Sequence, residues 1–246
     1  MTAALSLLLL LTADDLYRRG TQAINEGNLD RAVQLLAEAS KNNPKDAQVW
    51  KALGVAHAAA GNYEAATEPF RQACTLNAAL PDACYYLGRN LYSLNRFSLA
   101  LDALRKSPRN WRVTLGIAQA LEALEQAPEA ESSFRAAVRE HAGKQSHPEF
   151  DPRLHYAVFL YRQGRTAEAL PMAQAAATDN PGSGRAQFEL GRVHYALTDL
   201  EKAAAHLEQA VKNGHGAPAH LLLGKTYMRL GRTEAAQQHL KAGAAP

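Results

Sequence analysis

Residues 50–73 read WKALGVAHAAAGNYEAATEPFRQA, and the order of small and large residues in this stretch recurs along the chain. Three further stretches follow it: CYYLGRNLYSLNRFSLALDAL (84–104), QFELGRVHYALTDLEKAAAHLEQA (187–210) and HLLLGKTYMRLGRTEAAQQHL (220–240). Gly20, Gly54 and Gly88 stand 34 residues apart. Self-similarity at a fixed period of this size indicates stacked repeats, each of which contributes one supersecondary unit.

The residues of each repeat suit two packed helices. Hydrophobic residues make up 47% of the chain and aromatic residues only 7%, and the abundance of Ala and Leu favours helix over sheet. In the second repeat Gly54 and Ala66 are small enough to let two helices approach, and Phe70 is large enough to fill the space toward the next repeat. Pairs of residues typical of a sharp reversal lie between the helices, at Gly27-Asn28, Gly61-Asn62, Asn95-Arg96, Gly164-Arg165 and Gly231-Arg232.

The pattern resembles the tetratricopeptide repeat, a helix–turn–helix unit of 34 residues with a recurring set of small and large positions. In the second repeat Trp50, Leu53 and Gly54 match the opening of the family motif. Phe70 matches the large residue of its second helix, whereas His57 stands where the family has tyrosine. The register gives repeats that start near residues 13, 47, 81, 109, 150, 184 and 217.

The resemblance covers residues 14–246. It implies an all-α fold, a right-handed superhelical solenoid of about seven helix–turn–helix repeats. The first helix of each repeat is expected to line the concave face of this superhelix.

Two repeats depart from the period. The third is short, since only 28 residues separate Gly88 from Gly116, and Ser107-Pro108 is expected to end its second helix early. The fourth is long. Its extra residues are expected partly in the turn between its two helices, at residues 125–128, and partly in the loop at residues 141–149.

Residues 1–13 differ from the repeats. The apolar run AALSLLLLL (3–11) is too short to span a bilayer, which takes about 20 residues, but has the length of a signal-peptide hydrophobic region. A mature chain is therefore expected to begin near Asp14, in an exported or periplasmic protein. The alternative is an N-terminal extension, packed as an extra helical turn on the first repeat of a cytoplasmic protein, because no Lys or Arg precedes the run.

The cysteines and histidines do not predict a metal site. The two cysteines, Cys74 and Cys84, cannot supply the four ligands of a structural zinc. The sequence favours two buried thiols over a disulfide, although it leaves their bonding open. The nine histidines form no ligand pair on one helix face. No metal or other cofactor is therefore expected.

The sequence predicts no enzymatic activity. Gly224-Lys225-Thr226 resembles the end of a phosphate-binding loop, but the glycine that this motif needs five residues earlier is Ala219. No Gly-x-Ser-x-Gly elbow occurs, and no catalytic carboxylate pair stands out. The net charge of +3, without a clustered basic face, argues against nucleic acid as a partner.

The resemblance implies that groove-lining side chains come from the second, fifth, ninth, twelfth and thirteenth positions of each repeat. The residues predicted to bind a partner there are aromatic or cationic: Tyr85, Arg89, Tyr92, Tyr161, Arg162, Arg185, Phe188, Arg192, Tyr195, Lys225 and Arg229. The same positions elsewhere hold Tyr17, Asn25, Lys51 and Met228. Tyr and Arg are enriched at binding hot spots, and Arg pairs with carboxylates while it stacks on rings. The predicted partner is therefore a protein or peptide with acidic and apolar residues. The alternative is that the tyrosines only pack on neighbouring helices, with the arginines solvated over them.

One specialisation of the family does not fit. The carboxylate clamp that holds the acidic C-termini of heat-shock chaperones needs Lys, Asn and Arg side chains at places that here hold Tyr17, Thr21, Ala52, Asp82 and Tyr86. The predicted function is a non-catalytic protein-binding scaffold in the assembly of an envelope or secretion complex. The alternative is a regulatory or substrate-recruiting subunit of a separately encoded enzyme. The sequence leaves the partner's identity, the biological process and the oligomeric state open.

Overall fold

The computed structural model describes residues 12–142, 144 and 147–244. Within these ranges the chain forms fourteen α-helices and one short 3-10 turn (Pro148–Phe150), with no β-strand. The helices are α1 (Ala13–Asn25), α2 (Leu29–Asn42), α3 (Ala47–Ala59), α4 (Tyr63–Leu76), α5 (Ala83–Ser93), α6 (Phe97–Lys106), α7 (Trp111–Ala123), α8 (Ala127–His141), α9 (Pro152–Arg162), α10 (Thr166–Asp179), α11 (Gly184–Ala196), α12 (Leu200–Lys212), α13 (Gly216–Arg229) and α14 (Thr233–Gly243). The predicted all-α solenoid of about seven helix–turn–helix repeats is confirmed.

The chain divides into two compact units, unit 1 (residues 1–126) and unit 2 (residues 127–246). Within each unit every described helix packs against the next one along the chain. In unit 1 the first helices of successive repeats, α1, α3, α5 and α7, also contact one another in order. In unit 2 α9, α11 and α13 do the same. Each unit therefore presents a continuous surface made by its first helices, which we call its first-helix face.

Close approach of the two helices in a hairpin depends on glycine. A Cβ atom added to Gly54 would lie only 2.5 Å from Phe70 Cδ1. Phe70 is 2% exposed, and its ring also stacks on Tyr86 of the next repeat with 5.7 Å between centroids. Phe70 thus fills the space toward the third repeat as predicted. The same approach recurs in the pairs Gly20–Leu36, Gly88–Leu104, Gly191–Leu207 and Gly224–Leu240.

The turn between the helices of a hairpin takes a left-handed backbone. Gly61 has a φ of 76° and Asn95 a φ of 57°. Glycine reaches this region without steric cost, and asparagine tolerates it. Gly27, Gly164 and Gly231 take the same conformation, so the predicted reversals are confirmed.

The structure resolves the two irregular repeats differently. Helix α6 ends at Lys106 after 10 residues, which confirms the early end at Ser107-Pro108. The turn between α7 and α8, in contrast, has the same length as the turn between α1 and α2, with Glu125 in the left-handed region. The expected insertion in this turn is therefore wrong. The extra residues lie in α8, which has 15 residues, and in the segment that follows it.

Cys74 and Cys84 form a disulfide, so the preference for two thiols is wrong. Cys74 lies near the end of α4 and Cys84 near the start of α5, and their Cα atoms are 4.7 Å apart, within the range that a disulfide requires. Both residues are buried. Packing of α4 against α5 brings them together, and this contact between repeats is not visible in their sequence separation.

Among the described residues, no helix combines the length and the apolar character that a membrane span requires. The apolar run at residues 3–11 lies outside the described residues, and the signal peptide stays a prediction. Helix α1 begins at Ala13, where the Thr12 side chain accepts a hydrogen bond from the backbone N–H of Asp15.

Candidate partner-binding face

Two arginines of unit 2 stack across successive first helices. Arg192 on α11 places its guanidinium carbon 4.2 Å from the ring centroid of Tyr161 on α9. Arg229 on α13 takes the same arrangement over Tyr195 on α11, at 4.9 Å. Tyr161 and Tyr195 are 34 residues apart and occupy equivalent places in their repeats. Four of the predicted residues therefore lie together on the first-helix face of unit 2, as two equivalent arginine–tyrosine pairs.

Arg192 is also held by a buried carboxylate on its own helix. Its Nη2 lies 2.5 Å from Glu189 Oε2, and Glu189 is only 8% exposed. Burial raises the pKa of the Glu189 carboxyl, and the positive charges of Arg192, Arg185 and Arg162 oppose that rise. The contact is short but lacks hydrogen-bond geometry, since Glu189 Oε2 and the Nε and Nη2 atoms of Arg192 have no hydrogen-bond partner. The result is an ion pair whose guanidinium donors are not satisfied.

The start of α11 carries an arginine whose charge is already compensated. Arg185 Nη1 donates a hydrogen bond to Glu149 Oε2 at 2.6 Å, from the 3-10 turn that precedes α9. One turn further along α11, the half-buried Phe188 lies with its ring centroid 4.5 Å from that of His215. Phe188 also approaches the guanidinium of Arg192, at 5.9 Å. Both predicted residues lie on the face, where Phe188 provides an apolar surface and Arg185 an internal ion pair.

The far end of the face is open to solvent. Lys225, Met228 and Arg229 are exposed on α13, with Met228 at 61%. Within the described part of the chain neither Lys225 nor Arg229 pairs with a carboxylate. Arg162, at the end of α9, is exposed as well. These cations carry the uncompensated charge of the face.

In unit 1 the predicted residues come together in a different way. Arg89 Nη1 donates a hydrogen bond to Gln119 Oε1 on α7 at 2.8 Å. Its guanidinium carbon lies 5.8 Å from the ring centroid of Tyr92 on the same helix. Tyr85 is half-buried, and burial raises the pKa of its hydroxyl. Arg89 therefore stacks on its own helix and not across repeats.

The remaining counted positions of unit 1 form no cationic or aromatic pair. Tyr17 packs against the buried apolar clusters between α1, α2 and α3. Lys51 Nζ donates a hydrogen bond to the backbone oxygen of Pro81 at 3.3 Å. Asn25 is exposed at the end of α1.

Three residues of the unit 2 face, Glu149, Glu189 and His215, were not found by counting repeat positions. Glu189 stands at a place where a charged residue is expected to be solvated. Its spacing of three from Arg192 is the one signal in the sequence, because residues three apart are neighbours on a helix. Glu149 lies in a loop that has no place in the repeat register, and His215 precedes α13. The contacts of both depend on packing between repeats.

Among the described residues no group of three His, Cys, Asp or Glu side chains is arranged to hold a metal ion. The chemistry that this face can perform is recognition through charge and ring contacts.

Comparison with known proteins places the chain in a family. The tetratricopeptide repeat model matches residues 17–83, 85–144 and 160–218, and a second model of the same repeat matches residues 217–243. A comparison with curated protein sequences finds no match.

Several solved structures are similar to this chain. A tetratricopeptide repeat protein from Parabacteroides merdae has a TM-score of 0.73 at 16% identity, over 94% of this chain and 91% of that chain. For pilF of Pseudomonas aeruginosa the TM-score is 0.66 at 19% identity, over 94% and 96%. YrrB, described as a protein of this type with an unusual peptide-binding site, has a TM-score of 0.53 at 22% identity, over 73% and 92%. At these identities the similarity shows the fold alone.

Consecutive helical hairpins with one register define a helical repeat protein. Because the family models match most of its length, the chain belongs to the tetratricopeptide repeat family.

Proposed function

We propose that this protein is a non-catalytic scaffold that binds an extended segment of a partner protein on the first-helix face of unit 2. The observation that carries the proposal is the pair of arginines, Arg192 and Arg229, each stacked on a tyrosine of the neighbouring repeat. Stacking holds a guanidinium in place before a ligand arrives, which lowers the entropy lost on binding. YrrB, which shares the fold, is described as having a peptide-binding site, and this supports the proposal.

The chemistry of the face favours a partner segment with acidic and apolar residues. Lys225 and Arg229 offer exposed charges that no described carboxylate neutralises. Phe188 and Met228 offer apolar surface on the neighbouring helices α11 and α13. Exposed charges are screened by salt, so binding is expected to weaken as ionic strength rises.

We further propose that the protein works outside the cytoplasm, in the assembly of an envelope or secretion complex. Two observations support this location. The apolar run at residues 3–11 has the length of a signal-peptide hydrophobic region. The disulfide between Cys74 and Cys84 suits an oxidising compartment, because cytoplasmic thiols are generally kept reduced.

A cross-linking experiment tests the proposed face. A photo-cross-linking amino acid in place of the exposed Met228, in the native host, is expected to capture the partner segment, which mass spectrometry then identifies. The double variant Lys225→Glu with Arg229→Glu is expected to lose binding of that segment. Its melting temperature should hardly change, since both residues are exposed and surface substitutions generally have small effects.

The matched control changes the same charges on second helices. Lys212→Glu with Lys241→Glu lies on α12 and α14, where both lysines are exposed. This control is expected to bind normally. Loss of binding in the control, with binding retained by the α13 variant, would show that the partner uses the second helices instead.

A further inference from the structure

The two arginine–tyrosine pairs of unit 2 repeat at the period of the fold. In the first pair Arg192 on α11 reaches Tyr161 on α9, and in the second Arg229 on α13 reaches Tyr195 on α11. The two arginines occupy different places in their repeats, but both guanidinium groups stack on the equivalent tyrosine. The tyrosines therefore fix the distance between the two positive charges.

That distance follows from helix packing. Helices α9 and α11 are in contact, and so are α11 and α13. Packed helices lie about 8–10 Å apart. Since each guanidinium stacks on an equivalent ring, the two charges are separated by about the same distance. A partner segment must present two carboxylates at this spacing, on one side of its backbone, to engage both.

Backbone geometry decides which extended conformation meets this requirement. In polyproline II, three residues advance about 9 Å and return the side chain to the same side. In a β-strand, side chains on one side are about 7 Å apart for two residues and about 13 Å for four. Only polyproline II matches the separation of the two pairs.

We propose that the first-helix face of unit 2 recognises a segment in polyproline II conformation that carries carboxylates three residues apart, one for Arg192 and one for Arg229. The inference rests on the proposed function and specifies the partner chemistry of the same face. Unit 1 lacks this arrangement, because its Arg89 stacks on Tyr92 of its own helix and donates to Gln119.

Glu189 acts as an internal competitor at the first pair. Its carboxylate lies beside Arg192, but Arg192 Nε and Nη2 gain no hydrogen bond from it. A partner carboxylate that draws the guanidinium off Glu189 supplies those hydrogen bonds. Glu189 therefore lowers affinity at this pair and sets a threshold for the acidity of the partner segment.

Short peptides test the spacing. Fluorescein-labelled peptides with two glutamates in a proline–alanine background, placed two, three or four residues apart, are titrated with the full chain and followed by fluorescence anisotropy. The three-residue spacing is expected to bind roughly fivefold more tightly than the other two, the gain from one additional exposed ion pair. Its advantage should disappear at high salt.

Three variants assign the effect to residues. Arg229→Gln, at an exposed side chain, is expected to abolish the preference for three-residue spacing. Glu189→Gln is expected to raise the affinity for that peptide and keep the preference, because it removes the competing charge. The matched control Lys241→Gln, exposed on α14, should leave both unchanged.

Equal affinity for all three spacings, or an unchanged preference in Arg229→Gln, would overturn the proposal. So would the absence of binding to every peptide. The cross-link at Met228 reports independently whether a partner occupies the face, so loss of the spacing rule and loss of the proposed function give different results.

Discussion

The cost of adding one methyl group differs between two glycines of this chain. In Gly54→Ala the new Cβ would meet the Phe70 ring at 2.5 Å, and Phe70 is too buried to move aside. Overpacking of this kind costs about 1–3 kcal/mol, which outweighs the gain of at most about 1 kcal/mol in helix propensity. We expect Gly54→Ala to lower the free energy of unfolding, as measured by urea denaturation.

The control for this substitution is Gly182→Ala. A Cβ at Gly182 would have no neighbour within 4 Å. Its free energy of unfolding should stay close to that of the natural chain. Equal effects of the two substitutions would show that the hairpin does not depend on close approach at Gly54.

Removing the ring that meets Gly54 tests the same contact from the other side. Phe70→Ala is expected to lower the free energy of unfolding by about 3–5 kcal/mol, because the ring is fully enclosed between two repeats. Leu99→Ala, at a side chain that is 55% exposed, serves as the control and should have little effect. A loss below about 1 kcal/mol for Phe70→Ala would contradict the packing described for this ring.

Residue roles that recur in several repeats could be predicted, and roles that occur once could not. Gly54 and Phe70 were assigned because the same small and large pair stands in five hairpins of the chain. Glu189 was not assigned, because its burial depends on the neighbouring repeats that surround it. Of the predicted face, Arg192 and Arg229 were placed correctly by counting, but the neutralisation of Arg185 by Glu149 was not foreseen.

At the scale of helices, the disulfide joins α4 of the second repeat to α5 of the third. It closes a loop of about ten residues, which corresponds to about 3 kcal/mol of stabilisation through the unfolded chain. We expect reduction to lower the midpoint of urea unfolding. In the double variant Cys74→Ala with Cys84→Ala, added reductant should have no effect. Two free thiols in the purified protein, measured without reductant, would contradict the bond.

A pair of histidine rings between α11 and α12 predicts acid sensitivity. His194 and His206 stack with centroids 5.5 Å apart, and burial lowers the pKa of both. Asp199, 3.6 Å from His194, opposes the shift, whereas Lys202 adds to it. In the unfolded chain both histidines titrate near pH 6.5, so the stability they provide is complete above about pH 6.5 and is lost as pH falls toward the lower folded values.

The measurement is the melting temperature across this range of pH. It should fall between about pH 7 and pH 5, and His206→Gln should reduce the slope. His147→Gln, at an exposed side chain, should leave the slope unchanged. Burial lowers the pKa of four other histidines in the same direction, namely His57, His141, His215 and His239. A melting temperature that rises on acidification would contradict the prediction.

Helices and turns could be predicted because local chemistry determines them. The reversal at Gly61 requires a left-handed residue, and Ser107-Pro108 cannot continue a helix. The disulfide and the true location of the fourth repeat's extra residues escaped prediction. Both depend on how far one helix continues and on which helix it meets, and the period carries neither quantity.

At the scale of the whole molecule, export is the prediction that decides where the protein acts. Protein isolated from its native host is expected to begin near Asp14, as determined by N-terminal sequencing. A matched variant with Leu8 and Leu9 replaced by arginine should remain in the cytoplasm, since a charged segment no longer serves as a signal peptide. Intact Met1 or Thr2 on soluble cytoplasmic protein would contradict export.

The fold class and the number of repeats could be predicted from the sequence because one register accounts for nearly the whole chain. The position of the binding face followed from the same register. Which charges on that face are available to a partner could not be predicted, because Glu149 and Glu189 neutralise arginines from a loop and from an uncounted helix position.

The bond between Cys74 and Cys84 also changes how this chain would respond to mechanical force. A chain of stacked repeats that is pulled from its ends gives way repeat by repeat, since each repeat contacts only its neighbours. At the junction of α4 and α5 the load passes through sulfur, and the residues between the two cysteines carry no tension. The fully stretched chain is shorter by roughly 30 Å as a result. A single-molecule pulling record with and without reductant would show this difference in length.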